Sequence, residues 1–462
     1  MRLYPCVVAW FLSLSLFNFS AHGDAAATDA QLLELDGKLR TVFYNVDNLE
    51  TNKRTGAWTT ALWLDGQITP LTDDLVLGAG FFSVARLELA DSDGCSSRCS
   101  YQLLNDANEG FAKLGQAYVR LQVPLSESDK DLVSLTIGRQ ILKTGLISGS
   151  SSRSVPSSWQ GYNLKMAAGN LQLGLALVNR MSLRNQAGFH RLTNFPEQNP
   201  EQNQVIDYII GGEVFYRMPV LADSELFLAY RNGFAKDYLQ AHNLDVLLTT
   251  FLDSGRDLSL GVRYFHTEKD GDLWQGTGWG GSPLFDDYAS VINVHGRLSM
   301  PSGWSFDAAI SHYNARSSVL KYGISGYAPP GSYYYDLGAN THGFWNIHTN
   351  GIAEDMMYDG ETVMKAGITY DFSSFGIKGL NAGYAFHYGS GMRVTTSEQR
   401  QVRVSEYEHD VFMVWYLPEP LPKGLTFKLK FGLYHNDPAL RQAINKEEND
   451  LRIWLDYDFA AF

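Results

Sequence analysis

Leu425-Thr426-Phe427-Lys428-Leu429-Lys430-Phe431-Gly432-Leu433-Tyr434 alternates apolar with charged or small residues at a period of two. Successive side chains of an extended strand point to opposite faces, so Leu425, Phe427, Leu429, Phe431 and Leu433 share one face and Lys428 and Lys430 the other. Such a strand separates an apolar phase from a wet one. The pattern recurs in Leu171 to Leu177 (LQLGLAL) and Leu258 to Tyr264 (LSLGVRY). No helical period competes with it beyond the N-terminus.

The links between these segments alternate in length. Gly169-Asn170, Ala222-Asp223-Ser224, Asp253 to Asp257 and Pro301-Ser302-Gly303 are tight turns. Between them lie long segments: Glu88 to Gly110, Lys143 to Ser158, Ser182 to Gln204, Thr267 to Phe285, Ser317 to Tyr358 and Ser390 to Ser405. Strands counted around the links number about eighteen, with roughly nine long and eight short connections. The expected fold is therefore all-β: a transmembrane antiparallel barrel with long extracellular loops and short periplasmic turns. Sandwiches are usually smaller, and no repeated propeller blade is found. Trp304-Phe306, Trp415-Tyr416 and Trp454-Tyr457 lie near strand ends, as interface girdles require.

The start of the chain agrees with export. Arg2, the apolar run Cys6 to Phe19 and the small residues of Ala21-His22-Gly23 form a secretory signal, expected over 1–23, with cleavage within Ala25 to Ala27 fitting equally well. A short lead over 24–33 then precedes a barrel over 34–462, with no room for a plug domain. Cys95 and Cys99 are left in the mature chain, and in an exported protein they are expected to pair as a disulfide. No metal-ligand spacing accompanies them, and neither metal nor cofactor is expected. With 37 Lys+Arg against 50 Asp+Glu the chain is net acidic, which disfavours nucleic acid as a partner. The expected surroundings are outer-membrane lipid and lipopolysaccharide in a Gram-negative cell. A terminal Phe462 suits recognition by the barrel assembly machinery. The oligomeric state is left open.

Parity assigns the other face of each strand to the lumen. The inward candidates are Lys38, Arg40, Arg86, Arg120, Lys165, Arg180, Arg217, Arg231, Arg263, Arg297, Lys365, Lys428, Lys430 and Arg452. Fewer acids are expected there: Asp65, Glu213, Asp245, Asp307, Asp456 and Asp458. An Arg or Lys facing lipid at the midplane would cost about 2–4 kcal/mol, a cost that mostly disappears in a wet pore. A basic file across many strands favours anions or neutral solutes rich in acceptors. Loops Lys143 to Ser158, Asn185 to Gln204 and Gly323 to Asp359 could tune selectivity. Tyr333-Tyr334-Tyr335 and Trp345 beside Asn and Gln would suit sugars.

Ser152-Arg153-Ser154-Val155-Pro156-Ser157-Ser158-Trp159-Gln160-Gly161 resembles the S-R-x-x-P-x-x-aromatic-x-G stretch of the OprD family of substrate-selective outer-membrane porins. Gly379 to Tyr384 and Glu447 to Phe459 resemble that family's later strands. Within it, Trp159-Gln160-Gly161, Phe344-Trp345-Asn346 and Thr426 to Phe431 are most similar to enterobacterial chitoporins. The resemblance implies an eighteen-stranded barrel constricted by its third and fourth loops and lined by an arginine ladder, with Arg153 on the third loop. Ser151 departs from the family's acidic residue at that place.

These readings lead to passive uptake of small hydrophilic nutrients, with chitooligosaccharides as the favoured small-molecule solute. A channel for carboxylates or amino acids is the alternative motivated by the basic lumen. A barrel enzyme of phospholipase type would need a nucleophile and base on the outer wall. His342 and His348 with Thr349 and Asn350 are the one suggestive cluster, and they fall in a long loop.

Overall fold

The computed structural model describes residues 33–70, 74–90, 97–126, 131–195, 203–252, 255–276, 284–319, 322–323 and 326–460. The expected signal peptide, the lead up to residue 32, Cys95 and Phe462 lie outside the described residues. Cys99 is disulfide-bonded and fully buried.

Twenty strands follow one another: β1 (Leu33–Asn48), β2 (Lys53–Ile68), β3 (Leu75–Leu89), β4 (Phe111–Pro124), β5 (Leu132–Gln140), β6 (Ser158–Ala168), β7 (Leu171–Ser182), β8 (His190–Thr193), β9 (Val205–Ile206), β10 (Ile209–Leu221), β11 (Ser224–Ala235), β12 (Leu239–Leu252), β13 (Arg256–Lys269), β14 (Tyr288–Ser299), β15 (Trp304–Asn314), β16 (Thr362–Asp371), β17 (Leu380–Thr395), β18 (Gln401–Tyr416), β19 (Leu425–Asn436) and β20 (Glu448–Ala460). The short β8 and β9 pair inside one loop, and the other 18 form the antiparallel wall. Asp36 to Asn48 of β1 pair with Ala460 to Glu448 of β20, which closes the cylinder and leaves no sheet edge. Closure satisfies the backbone where lipid offers no hydrogen-bond partner.

The wall's outer face bears the apolar half of each strand. Leu260, Val262 and Tyr264 of β13 are exposed to the outside, while Arg263 between them is buried on the inside. Trp304, Phe306 and Tyr416 are exposed near the short-turn end, as a girdle requires. Trp454 departs from that expectation. It lies on the inward face of β20 and meets Tyr44 edge-on, ring centroids 5.3 Å apart.

Four long connections matter for the lumen: loop 2 (90–110), loop 3 (141–157), loop 4 (183–208) and loop 7 (315–361). The long loop expected over Ser390 to Ser405 is instead mostly strand, because β17 and β18 continue to a tip at 396–400. Met392, Val394 and Val404 there bury against Leu440 and Ala443 of a short helix, α1 (Pro438–Ile444). An apolar cluster under the loops contains Leu146, Ile147, Trp159, Phe265, Tyr333, Tyr334 and Leu337. Loops 3 and 7 supply much of the polypeptide in the upper barrel, joined in this cluster by Leu192 and Ile206 of loop 4 and by Trp274 and Phe285 of the β13–β14 connection.

Candidate functional site

Loop 3 crosses the lumen because both walls offer it partners. On one side, Gly145 donates its amide to Glu213 of β10 at 2.9 Å, and Leu146 donates to the Asn232 carbonyl of β11 at 3.0 Å. The approach is close enough to require glycine. A Cβ at Gly211 would stand 2.6 Å from the Thr144 carbonyl oxygen, and Gly145 itself has φ +61°. On the far side, Arg40 of β1 donates to the carbonyls of Ser151 (2.7 Å) and Arg153 (3.0 Å). Tyr44 donates its hydroxyl to the Ser152 carbonyl at 2.6 Å, and the Trp63 indole donates to that of Ser154 at 2.8 Å.

Loop 7 is seated by both polarities, with a carboxylate at its centre. Glu408 of β18 accepts the amides of Ile352 (2.6 Å), Ala353 (2.7 Å) and Glu354 (2.9 Å). Arg452 and Lys446 donate to the carbonyls of Ile352 and Ala353 at 2.6 and 2.8 Å. Arg263 of β13 donates to the Asn346 carbonyl. The two loops then join, since Phe344 donates to the Leu146 carbonyl and Ser148 to that of His342. The constriction is therefore loop 3 with loop 7, where the resemblance implied loop 3 with loop 4. Loop 4 contributes by reaching over both, through Arg184 and through the Thr193 carbonyl that accepts from Ala339.

Above this crossing opens a cavity of about 510 Å³ bordered by loops 2, 3, 4 and 7. Lys143, Arg184, Asp336, His342 and the aromatic Tyr335, Phe344 and Trp345 line it. Arg184 holds its guanidinium on neutral oxygens: Gln102 Oε1 (2.8 Å), Ser150 Oγ (2.8 Å) and Ser152 Oγ (3.0 Å). Burial, then the charges of Arg184, Arg153 and Lys113, hold the His342 imidazole well below its ordinary pKa. The imidazole is therefore neutral, with the cations of Arg184, Arg153 and Lys113 adding to the effect of burial.

The ladder residues fall into distinct groups. Arg40 pairs with Asp456 through two contacts of 2.7 Å, and Lys428 reaches the same carboxylate at 3.6 Å. Lys38 meets Asp458 at 2.9 Å and Lys365 meets Asp307 at 3.0 Å. Arg263 and Arg231 share Asp245 at 2.5 and 4.0 Å, and Arg231 lies between the rings of Phe215 and Phe344 at 4.7 Å from each. Lys165 donates to the Lys143 carbonyl, and Arg120 to the Tyr118 hydroxyl over whose ring it lies. Arg297 and Lys430 are exposed on the inward face, in register with Asp307 and Arg452. Arg86 pairs in register with Thr59 and donates to the Asn108 carbonyl beneath loop 2.

Two candidates have other places. Arg153 is buried, stacked on Tyr44 (4.7 Å) and Tyr101 (5.0 Å), and fastens loop 3 rather than lining the cavity. Arg180 points outward. The β6–β7 register shifts between Gln160 and Gly161, which reverses the parity. Its neighbour Met181 takes the inward place opposite the buried Trp159.

The lumen also holds more acid than expected. Glu406, Glu408 and Asp410 face inward from β18, and Glu448 and Asp450 from β20. Val404-Ser405-Glu406-Tyr407-Glu408-His409-Asp410 shows the period of two that could have found the first three. Arg184 and Lys143 stand on loops, where parity gives no direction.

The histidine cluster does not form an outer-wall site. His348 stacks on His295 in the lumen, centroids 3.7 Å apart, and Thr349 bonds Ser311 and His387. Of the aromatics expected to stack on sugars, Tyr333 and Tyr334 are fully buried. Trp345 stacks on Tyr333 and Tyr335 at 4.9 and 5.0 Å.

The sequence profile of a family described as outer membrane porin, OprD family, matches residues 33–461. Among solved structures, Acinetobacter baumannii OccAB1 is similar at 16% identity and TM-score 0.73, covering 95% of this chain and 99% of that one. Pseudomonas aeruginosa OccK8 (OprE) is similar at 16% identity and TM-score 0.70, with 93% and 98% covered. Pseudomonas aeruginosa opdK has the same identity and coverage at TM-score 0.68. At such identities the likeness shows the fold. No curated protein matches the sequence.

Proposed function

Because this chain belongs to the OprD family of outer membrane porins, we propose that the solute its lumen selects is a small carboxylate or amino acid. The protein is a substrate-specific channel for small solutes in the Gram-negative outer membrane, and not an enzyme. The observation that carries the carboxylate reading is the state of Arg184. It borders the cavity with a guanidinium whose hydrogen bonds all go to neutral oxygens, so it can still accept a charged partner. A carboxylate there would exchange weak neutral contacts for charge-assisted ones of matching planar geometry. Lys143 adds a second cation on the same cavity, against the one carboxylate of Asp336. Below the crossing, Lys165 and Arg297 continue the path with no carboxylate within 4.0 Å among the described residues.

Chitooligosaccharides draw less support, since Trp345 spends ring surface on Tyr333 and Tyr335. Liposome swelling separates the two readings. Small carboxylates and amino acids should enter faster than neutral sugars of equal mass. Faster entry of chitobiose than of any carboxylate would overturn the carboxylate reading.

A further inference from the structure

Arg180 was expected in the lumen, and its outward turn creates a row of cations on the lipid-facing wall. Arg139 of β5 pairs in register with Gln160 of β6, Gln160 with Arg180 of β7, and Arg180 with Arg191 of β8. Cross-strand partners share a face, so all four side chains leave the wall on the same side. That side is the outer one. Arg139 is two positions from Ile137, and Gln160 two from Tyr162, both exposed outside, whereas Gln140 and Trp159, the next pair up the strands, are buried inside.

The height of the row is equally defined. It stands roughly 7 Å further up the strands than Ile137 and Tyr162, on the loop side of the apolar belt. An outer-leaflet head group at this height would meet the row with Ile141, the next exposed apolar residue, just above it. Neighbouring strands are spaced about 4.8 Å apart, so Arg139 to Arg191 spans roughly 15 Å, enough for more than one phosphate.

Charge is the second observation. Arg180 and Arg191 are directly opposite one another, an arrangement that repels unless an anion sits between. No ion pair among the described residues includes Arg139, Arg180 or Arg191, although carboxylates neutralise many of the lumen cations. Phe189 of loop 4 lies 4.7 Å from the Arg139 guanidinium and holds it over the row.

We propose that Arg139, Gln160, Arg180 and Arg191 form a docking surface for the head-group phosphates of lipopolysaccharide in the outer leaflet. Each guanidinium can grip phosphate oxygens with two parallel hydrogen bonds, while the acyl chains lie against Ile137, Tyr162 and Leu177 just below. The cost of placing Arg180 opposite Arg191 is then offset by the lipid.

Thermal unfolding of the full chain in detergent tests this. Three additions are compared: lipopolysaccharide, the same lipopolysaccharide stripped of its phosphates, and inorganic phosphate. The wild-type barrel should be stabilised by intact lipopolysaccharide at concentrations roughly tenfold or more below those needed by Arg139→Gln/Arg180→Gln/Arg191→Gln. The stripped glycolipid and inorganic phosphate should not reproduce the effect. Arg180→Gln alone keeps the test decisive if the triple variant fails to fold. Without glycolipid it should unfold at or above the wild-type temperature, because a repulsion is gone, and with glycolipid below it. Equal stabilisation of wild type and variants overturns the proposal, as does equal protection by stripped glycolipid or by inorganic phosphate.

Discussion

Loops 3 and 7 solve the same problem with different main anchors. Each also uses the other polarity: Glu213 accepts from loop 3, and Arg452, Lys446 and Arg263 donate to loop 7. Each carries backbone across a lumen, where amides and carbonyls away from water must find partners. The far end of loop 3 is received by donors, with Arg40, Tyr44 and Trp63 giving hydrogen bonds to its carbonyls. Loop 7 is received at its heart by an acceptor, with Glu408 taking three consecutive amides. A wall side chain's charge therefore decides which backbone groups it can hold. Much of what looks like a selectivity ladder serves this purpose, and the cations left over are the ones available to solute.

The sharpest way to break the comparison is at Arg40. Arg40→Ala leaves Asp456, whose side chain is 2% exposed, with only Lys428 at 3.6 Å, and removes two hydrogen bonds from loop 3. Loss of one partner of a buried pair costs about 3–5 kcal/mol, so the unfolding temperature should fall steeply. Adding Asp456→Asn should recover part of the loss while loop 3 stays loose, which single-channel recording would register as larger, noisier conductance. Full recovery of both would show that loop 3 does not depend on Arg40.

Glu408→Ala should come next. It leaves the amides of residues 352–354 without their acceptor, at about 1–3 kcal/mol for each one that water does not reach. Loop 7 should detach and conductance rise, and Glu408→Gln should fall between. Unchanged conductance in Glu408→Ala would place the seat of loop 7 elsewhere.

A smaller effect follows from pH. Burial, then the adjacent His295, Arg263 and Lys365, pushes the loop 7 residue His348 down to about 3, from an ordinary 6.5. The seated imidazole refuses a proton that a released one accepts below pH 6.5, so the seat weakens as pH falls from 6.5 towards 3. Asp355, pushed up to about 6 by burial and then Glu354, works in the other direction over 6 to 3.8. His348→Asn should therefore lessen the acid-induced component of loop opening, leaving the part that His342 contributes with the same sign and the opposing Asp355 component. Identical pH profiles for wild type and variant would contradict this.

The wall was legible in the sequence because lipid and water impose opposite demands on alternate residues. Leu425 to Tyr434, Leu258 to Tyr264 and most of the inward cations follow directly from that rule. It failed where the register changes. The register shift opposite Gly161 sends Arg180 outward, and Glu406, Glu408 and Asp410 were missed although their period of two continues the strand past Ser405. The crossing itself was beyond any period. Residues far apart in sequence meet there, as Arg40 meets Ser151 and Glu408 meets Ile352, and only the closed barrel brings them together. Arg184 was missed for the same reason.

Arg184 is where the account is most exposed. Arg184 also ties loop 4 to Gln102, Ser150 and Ser152, so Arg184→Lys, which keeps a cation there, and an unfolding measurement on each variant separate a functional loss from a loosened loop. Single-channel currents should be interrupted by a small carboxylate added at the loop side, and Arg184→Ala should need roughly tenfold more of it for the same interruption. Interruption by chitohexaose but not by carboxylate, unaltered in Arg184→Ala, would contradict the account.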